Sequence, residues 1–501
     1  MKSWSEGCER MIYSCTNEEC LWFGEGDTLP DACPRCGQAL KERWEEELTG
    51  DEWCRLGLYW TEEEPADDEK ALACFRRSAS LGSGWGTCNL GLCMEQGIGI
   101  QPDLRQAVWL YKQAVEMGSV AALCNLGVCL EQGIGTPQDP AGAASLYLAA
   151  AEHGSARGQR MLAHCLEDGI GVDQDHAKAV EWLRTAALQG EAPAQTALAK
   201  HYEFGVGTEQ DKELTVRWYE KAVQGGDPEG MCCLGWLKQT GKWVDSDPAG
   251  AVELYRQAAQ MGATRGMVQL GDCLMDGIGV AAAPDLAVEW YKKAAKEGDR
   301  EAMFSLGLSY ELGQGVEQDY TNAALWYERS AQLGSSAGMN NFAELLAKGR
   351  GVPKDLGKAM EWYRKAAELG NVYAVYNMGW YLEKAGNLDK ARTCYEQAKE
   401  QNMDSAYWSL GRMYEEGLGV EQDLKQAYTL YRQGAKQGNV NCICRLVRCL
   451  AQGIGNRQDL ARAQKLGSEL LAEELSPQVL DNYGCRDELV MLLDIMNEIK
   501  E

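Results

Sequence analysis

The 501-residue chain has no run of 18 or more apolar residues, the length a helix needs to cross a bilayer. Its opening stretch, MKSWSEGCERMIYSC, lacks an apolar h-region. No secretory signal is legible there, and a cytoplasmic protein is expected. Basic clusters are missing too: 49 Lys and Arg stand against 75 Asp and Glu, a net charge of −26. Such a chain repels nucleic acid and anionic lipid, so its expected partners are neutral or basic proteins and peptides. Histidine is scarce, with only His153, His164, His176 and His201. That leaves little material for a catalytic triad.

Repetition is what the chain has in quantity. GTCNLGLCMEQGIGIQPDLRQAVWLYKQAVEMG (86–118) returns as AALCNLGVCLEQGIGTPQDPAGAASLYLAAAEHG (121–154) and as AMFSLGLSYELGQGVEQDYTNAALWYERSAQLG (302–334). Units close at Gly82, Gly118, Gly154, Gly190, Gly226, Gly262, Gly298, Gly334 and Gly370, a constant step of 36 residues. A shorter unit ends at Asn402 and the next at Gly438. About twelve units fit between Trp53 and Leu475, the mark of stacked repeats that bury their cores against one another.

Each unit reads as two helices. The first carries a Leu-Gly-x-x-Tyr core such as Leu306, Gly307 and Tyr310, apolar at helical spacing. A GIGV-type loop ends it with residues suited to positive φ. Asp103, Asp139, Asp175, Asp211, Asp247, Asp319, Asp355, Asp423 and Asp459 then form a column of N-caps for the second helix. Ala283 and Asn387 occupy the same slot in two units, and Asn is expected to cap as well. The second helix follows an A-x-x-W-Y-x-x-A-A pattern, as in Ala359, Trp362, Tyr363, Ala366 and Ala367, and its closing glycine is read as the C-cap.

This array resembles the Sel-like repeat family, 36-residue relatives of tetratricopeptide repeats, over roughly 85% of the chain. The resemblance implies an all-α fold: an α–α superhelical solenoid of about twelve helix–turn–helix repeats, used as a scaffold for protein contacts. It also implies a runner-up activity, because weak penicillin-binding hydrolysis has been claimed for some secreted, disulfide-bearing members.

The residues offer little catalytic chemistry in the array. The repeated G-x-G follows a helix and precedes an acid, so it is a turn rather than a phosphate loop. Cys88, Cys124, Cys232 and Cys444 form one column, and Cys93, Cys129, Cys165, Cys273 and Cys449 another. Equivalent residues of neighbouring repeats are at least about 8–10 Å apart, beyond disulfide reach. Buried small apolar residues are the expected role, in keeping with a reducing cytoplasm. His201 stands in the Cys165 column one repeat on, too far for a Cys–His pair.

Asn89, Asn125, Asn341 and Asn377 form a further column just before the Leu-Gly core. In tetratricopeptide-like solenoids the first helices line the concave surface. These amides are therefore candidate peptide-backbone partners, with bonds to neighbouring helix backbone as the plainer alternative.

In front of the array stands YSCTNEECLWFGEGDTLPDACPRCGQAL. Its C-x4-C and C-x2-C pairs resemble zinc ribbons and rubredoxin-like knuckles, which implies Cys15, Cys20, Cys33 and Cys36 as ligands. Cys8 has no place in the pattern. Structural zinc is the expected metal, with redox-active iron the alternative. Four protein ligands leave no open position for hydrolysis. The first 70 residues hold 19 acids against 7 bases, nearly half the net charge.

The expected organisation is a zinc ribbon at 1–44, an acidic linker and start of the first helix at 45–52, the solenoid at 53–475 and a C-terminal capping helix at 476–501. Capping by RDELVMLLDIMNEIKE, rather than pairing with a second copy, favours a monomer. The expected function is a non-enzymatic protein–protein interaction scaffold with the ribbon as a second, acidic docking module.

Overall fold

The structure, a computed structural model, describes residues 11–15, 23–25, 40–44, 47–62, 66–472, 490–492 and 495–496. Three strands come first: β1 (Met11–Cys15), β2 (Phe23–Glu25) and β3 (Leu40–Trp44). They form one antiparallel sheet in the order β2-β1-β3, with Ile12 opposite Glu25 and Arg43. Twenty-four helices follow among the described residues, each of thirteen residues, in twelve pairs.

The chain divides into two compact units, Met1–Gly266 and Met267–Glu501. In the first, the pairs are α1 (Gly50–Glu62) with α2 (Asp68–Ser80), α3 (Gly84–Gln96) with α4 (Leu104–Glu116), and α5 (Val120–Gln132) with α6 (Pro140–Glu152). Then come α7 (Ala156–Asp168) with α8 (His176–Leu188), α9 (Ala192–Phe204) with α10 (Lys212–Gln224), and α11 (Pro228–Thr240) with α12 (Pro248–Gln260). Helix α13 (Thr264–Asp276) begins at the junction and pairs with α14 (Pro284–Lys296). The second unit continues with α15 (Arg300–Leu312) and α16 (Tyr320–Gln332), α17 (Ser336–Lys348) and α18 (Leu356–Glu368), and α19 (Val372–Lys384) and α20 (Leu388–Glu400). It ends with α21 (Asp404–Glu416) and α22 (Leu424–Lys436), then α23 (Val440–Gln452) and α24 (Leu460–Ala472).

Local chemistry sets the helix ends. The nine column aspartates accept from backbone N–H groups at the start of the second helices; Asp139 takes Gly142 N at 2.9 Å and Asp459 takes Arg462 N at 3.0 Å. Each such cap is worth about 1 kcal/mol. The first helices have caps of their own, which the sequence reading passed over. Ser83, Ser155, Asp227, Asp299, Ser335, Asn371 and Asn439 each accept from the N–H three residues on. Thr49 and Glu52 form a reciprocal capping box at the start of α1.

Two expectations need correction. Asn387 makes no side-chain cap bond, so the short unit lacks this anchor. The glycine closing each second helix is not the C-cap but the residue after it: Met117 is the C-cap of α4, and Gly118 follows at φ 84°. Asn402 takes the same left-handed position at φ 60° in the short unit.

Most repeat cores are built around one ring. Tyr111, Tyr147, Tyr219, Tyr255, Tyr327, Tyr363, Tyr395 and Tyr431 are among the largest fully buried side chains. In most repeats the Leu-Gly glycine lies against that ring, and a Cβ on Gly127 would stand 2.3 Å from Tyr147 Cε1; Ala199 and Ala343 hold the same place beside Tyr219 and Tyr363. In α7 and α8 the pair is Ala163 and Leu183, and both are buried. All fourteen described array cysteines are free thiols, and all but Cys394 are buried.

At the C-terminal side, residues 490–492 and 495–496 are helical. Leu492, Ile495 and Met496 join the core of the last repeats with Leu446, Leu450 and Leu470. The rest of the expected capping segment lies outside the described residues.

Candidate functional site

First helices touch not only their own second helix but also each other: α3 meets α5, α5 meets α7, α7 meets α9, and α9 meets α11. Their second, sixth, ninth and thirteenth positions are thereby gathered into one continuous face of the first unit. Large apolar side chains remain exposed on it, namely Trp85, Phe204 and Trp236. The first helices of the second unit expose Leu308, Leu312, Tyr373 and Trp380. Second helices show exposed leucines such as Leu104 and Leu148, together with Trp109.

The asparagine column lies on the first-helix face, half-buried. Asn89 donates to Cys54 Sγ at 3.2 Å and to Trp85 O at 3.1 Å, and Asn125 donates to Cys88 Sγ at 3.4 Å. Asn125 Oδ1 accepts from Arg157 at 2.9 Å. Asn377 donates to Asn340 Oδ1, and Asn340 donates to Asn341 Oδ1, both at 3.0 Å. Three of these bonds reach side chains of the preceding repeat, one reaches Arg157 of the next, and one goes to the helix's own backbone, so most tie neighbouring first helices together.

A pocket of about 470 Å³ opens further along the face of the first unit, lined by Lys200, Glu203, Phe204, Tyr219, Cys233, Trp236, Lys242 and Arg265. Helix α9 supplies Lys200, Glu203 and Phe204, and α11 supplies Cys233 and Trp236. Lys242 Nζ bonds Glu203 Oε1 at 2.9 Å and sits over the rings of Trp236 and Trp243, 4.8 and 4.4 Å from their centres. Lys200 bonds Glu229 Oε1 at 2.8 Å, and Arg265 pairs with the same carboxylate. The sequence reading missed this pocket, although its signal is visible: the loop reads GKWV where most other repeats keep a G-x-G loop such as GIGV.

The chemistry elsewhere in the array is quenched. Burial pushes the thiols of Cys88, Cys93, Cys129 and Cys165 up to about 11, so none is a ready nucleophile. His201 is held at both ring nitrogens, by Val206 O at 2.7 Å and by Glu167 Oε1 at 2.6 Å. Burial works against its protonation, but the hydrogen bonds to Glu167 and Val206 and the Glu167 charge prevail and raise its affinity for a proton.

Of the expected metal ligands, Cys15 ends β1. Cys20, Cys33 and Cys36 lie outside the described residues, as does Cys8. No helix among the described residues is long and apolar enough to cross a membrane.

Comparison with known proteins accords with this geometry. The Sel1 repeat matches at 54–83, 86–119, 120–155, 156–191, 192–227, 228–262, 264–299, 300–335, 336–371 and 404–439. A tetratricopeptide repeat matches at 372–405, the short unit. Among solved structures, the chain resembles c5321, a protective antigen of uropathogenic Escherichia coli strains displaying an SLR fold. Identity is 28% over 85% of this chain and 94% of that one, with a TM-score of 0.57. A Sel1 repeat protein from Oxalobacter formigenes is also 28% identical, over 49% of this chain and 96% of its own, with a TM-score of 0.43. No curated protein sequence matches the chain. Ten Sel1 units matched along an array of twelve helix pairs place the chain in the Sel1 repeat family.

Proposed function

We propose that this chain is a non-enzymatic scaffold that binds a protein or peptide segment along its first-helix face. Sel1 repeat proteins generally act in protein–protein interaction. The observation that carries the reading for this chain is the exposure of Trp85, Phe204 and Trp236 on one face of the first unit. Trp and Tyr are enriched at interfaces because they bury large area at small entropic cost. The Asn89, Asn125, Asn341 and Asn377 amides border this kind of surface and contribute to it by exchanging inter-repeat bonds for bonds to a bound backbone. A net charge of −26 favours partners that are neutral or basic overall.

Residues 1–44 form a second docking module in this reading, held by structural zinc on Cys15, Cys20, Cys33 and Cys36. Its support is the order of elements. Cys15 ends β1 and Cys20 follows before β2, the second pair falls between β2 and β3 in the chain, and the three strands make one sheet. So small a sheet buries little core, and a bound metal would supply its folding energy. The helical residues 490–492 and 495–496 cap the open end of the last repeat, which favours a monomer. Fourteen free thiols among the described residues are in keeping with a reducing cytoplasm.

Crosslinking mass spectrometry in cells that make the protein tests the scaffold reading. Partner crosslinks should fall on first-helix lysines such as Lys200 and Lys238. Partner crosslinks confined to second-helix lysines such as Lys112 and Lys178 would refute it.

A further inference from the structure

The chain is strongly acidic, yet the pocket on α9 and α11 is lined by three cations, Lys200, Lys242 and Arg265, against one acid, Glu203. Counting Glu229, which holds Lys200 and Arg265, the cations still lead three to two. An ammonium group offers three N–H donors and a guanidinium five. Lys200 and Lys242 each bond one carboxylate, so donors remain for another anion. Beside these charges, Phe204 and Trp236 are left in solvent, 67% and 39% exposed.

A second observation points to the same place. Trp243 has φ 67°, a left-handed conformation that bulky side chains avoid. Gly99, Gly135, Gly171, Gly207, Gly279, Gly315, Gly351, Gly419 and Gly455 take this position in other repeats, all with positive φ. There the glycine runs against the first residue of the preceding second helix; a Cβ on Gly207 would meet His176 O at 2.3 Å. The single tryptophan in this column is also the one beside a lysine, Lys242, where Ile98, Ile134 and Ile170 stand in other repeats. Strain of this kind persists where the surroundings hold it in place, and it concentrates at ligand clamps. Here it sets an indole against the Lys242 ammonium at the pocket.

We infer that this pocket takes a carboxylate side chain of a bound peptide, with an adjacent aromatic or aliphatic side chain against Phe204 and Trp236. Lys242 and Arg265 receive the carboxylate, and Trp243 is a positioning residue for Lys242. This rests on the first-helix face being the peptide-binding surface. It adds the class of residue selected there: an acidic–apolar motif within a partner that need not be acidic overall.

The test is phage display of random dodecapeptides against the full-length protein, with counter-screens on a Phe204→Ala/Trp236→Ala variant and on Lys242→Gln. Both aromatics are exposed, and circular dichroism verifies that the array stays folded. Pocket-dependent clones should carry Asp or Glu next to Phe, Trp or Leu. They should bind the double variant at least tenfold more weakly, weaken several-fold with Lys242→Gln, and recover with Lys242→Arg. Pocket-dependent clones that are basic or purely apolar would overturn the assignment, as would the absence of any clone sensitive to these variants. Clones insensitive to them but lost on Asn89→Ala/Asn125→Ala would overturn the pocket while leaving first-helix peptide binding standing.

Discussion

Tyr219 Oη donates a 2.8 Å hydrogen bond to Glu203 Oε2, sixteen residues earlier in the same repeat, and both side chains are buried. The same bond recurs in Tyr111–Glu95, Tyr147–Glu131, Tyr327–Glu311 and Tyr431–Glu415. Gln239 substitutes as acceptor for Tyr255. In these repeats the ring fills the core and its hydroxyl is satisfied by the end of the first helix, so one pair locks the two helices together. In the fourth repeat Leu183 replaces the tyrosine, and Glu167 is taken instead by His201 of the next repeat.

Removing that hydroxyl should therefore cost stability only where the bond exists. Tyr147→Phe leaves Glu131 without its donor and should lose about 1–2 kcal/mol. Tyr363 has a buried hydroxyl with no hydrogen-bond partner, so Tyr363→Phe should be neutral or stabilising by up to about 1 kcal/mol. Urea denaturation midpoints of the two variants compare these directly; equal losses would contradict the pairing.

The His201–Glu167 pair gives a pH dependence of known sign. The folded state raises the proton affinity of His201 above its ordinary value. Its contribution to stability is thus full below the ordinary histidine value of about 6.5 and is lost as pH rises through the raised folded value. The difference in thermal midpoint between wild type and His201→Gln should shrink across that rise. A difference that grew with pH would reverse the account.

Trp243 offers a test of backbone strain separate from its packing. Trp243→Gly and Trp243→Ala both remove the indole, but only glycine is at ease at φ 67°. The glycine variant should be more stable than the alanine variant by about 1 kcal/mol. Equal denaturation midpoints would show that no strain is held there.

The front module makes a prediction in metal content. Purified protein should be colourless and carry one zinc per chain, and Cys33→Ser with Cys36→Ser should abolish it while the helical signal of the array survives. Red protein with visible absorption would favour iron redox chemistry instead.

Much of this fold is legible in the sequence because each repeat restates it. The Leu-Gly pair, the cap aspartate and the closing glycine recur every 36 residues, and a column of identical chemistry is hard to misread. The first-helix caps are harder to see, because Ser83, Glu191, Asp227 and Asn371 do the same job with different residues. The Tyr–Glu lock hides for another reason: its partners sit on different helices, so neither lies on the other's helical face. The asparagine column is visible, but its bonds to Cys54 and Cys88 of the preceding repeat are not. The pocket is the instructive miss. A search for what repeats passes over GKWV, and departures from the repeat are where one copy can become a site.

The most direct test of the scaffold account is affinity purification with quantitative mass spectrometry from cells that make the protein. Wild type is compared with a Trp85→Ala/Phe204→Ala/Trp236→Ala variant, which strips the exposed aromatics from the first-helix face of the first unit, expressed at equal level and equally folded. The account predicts a small set of proteins retained by wild type and depleted at least fivefold with the variant. An identical set of proteins on both would contradict it.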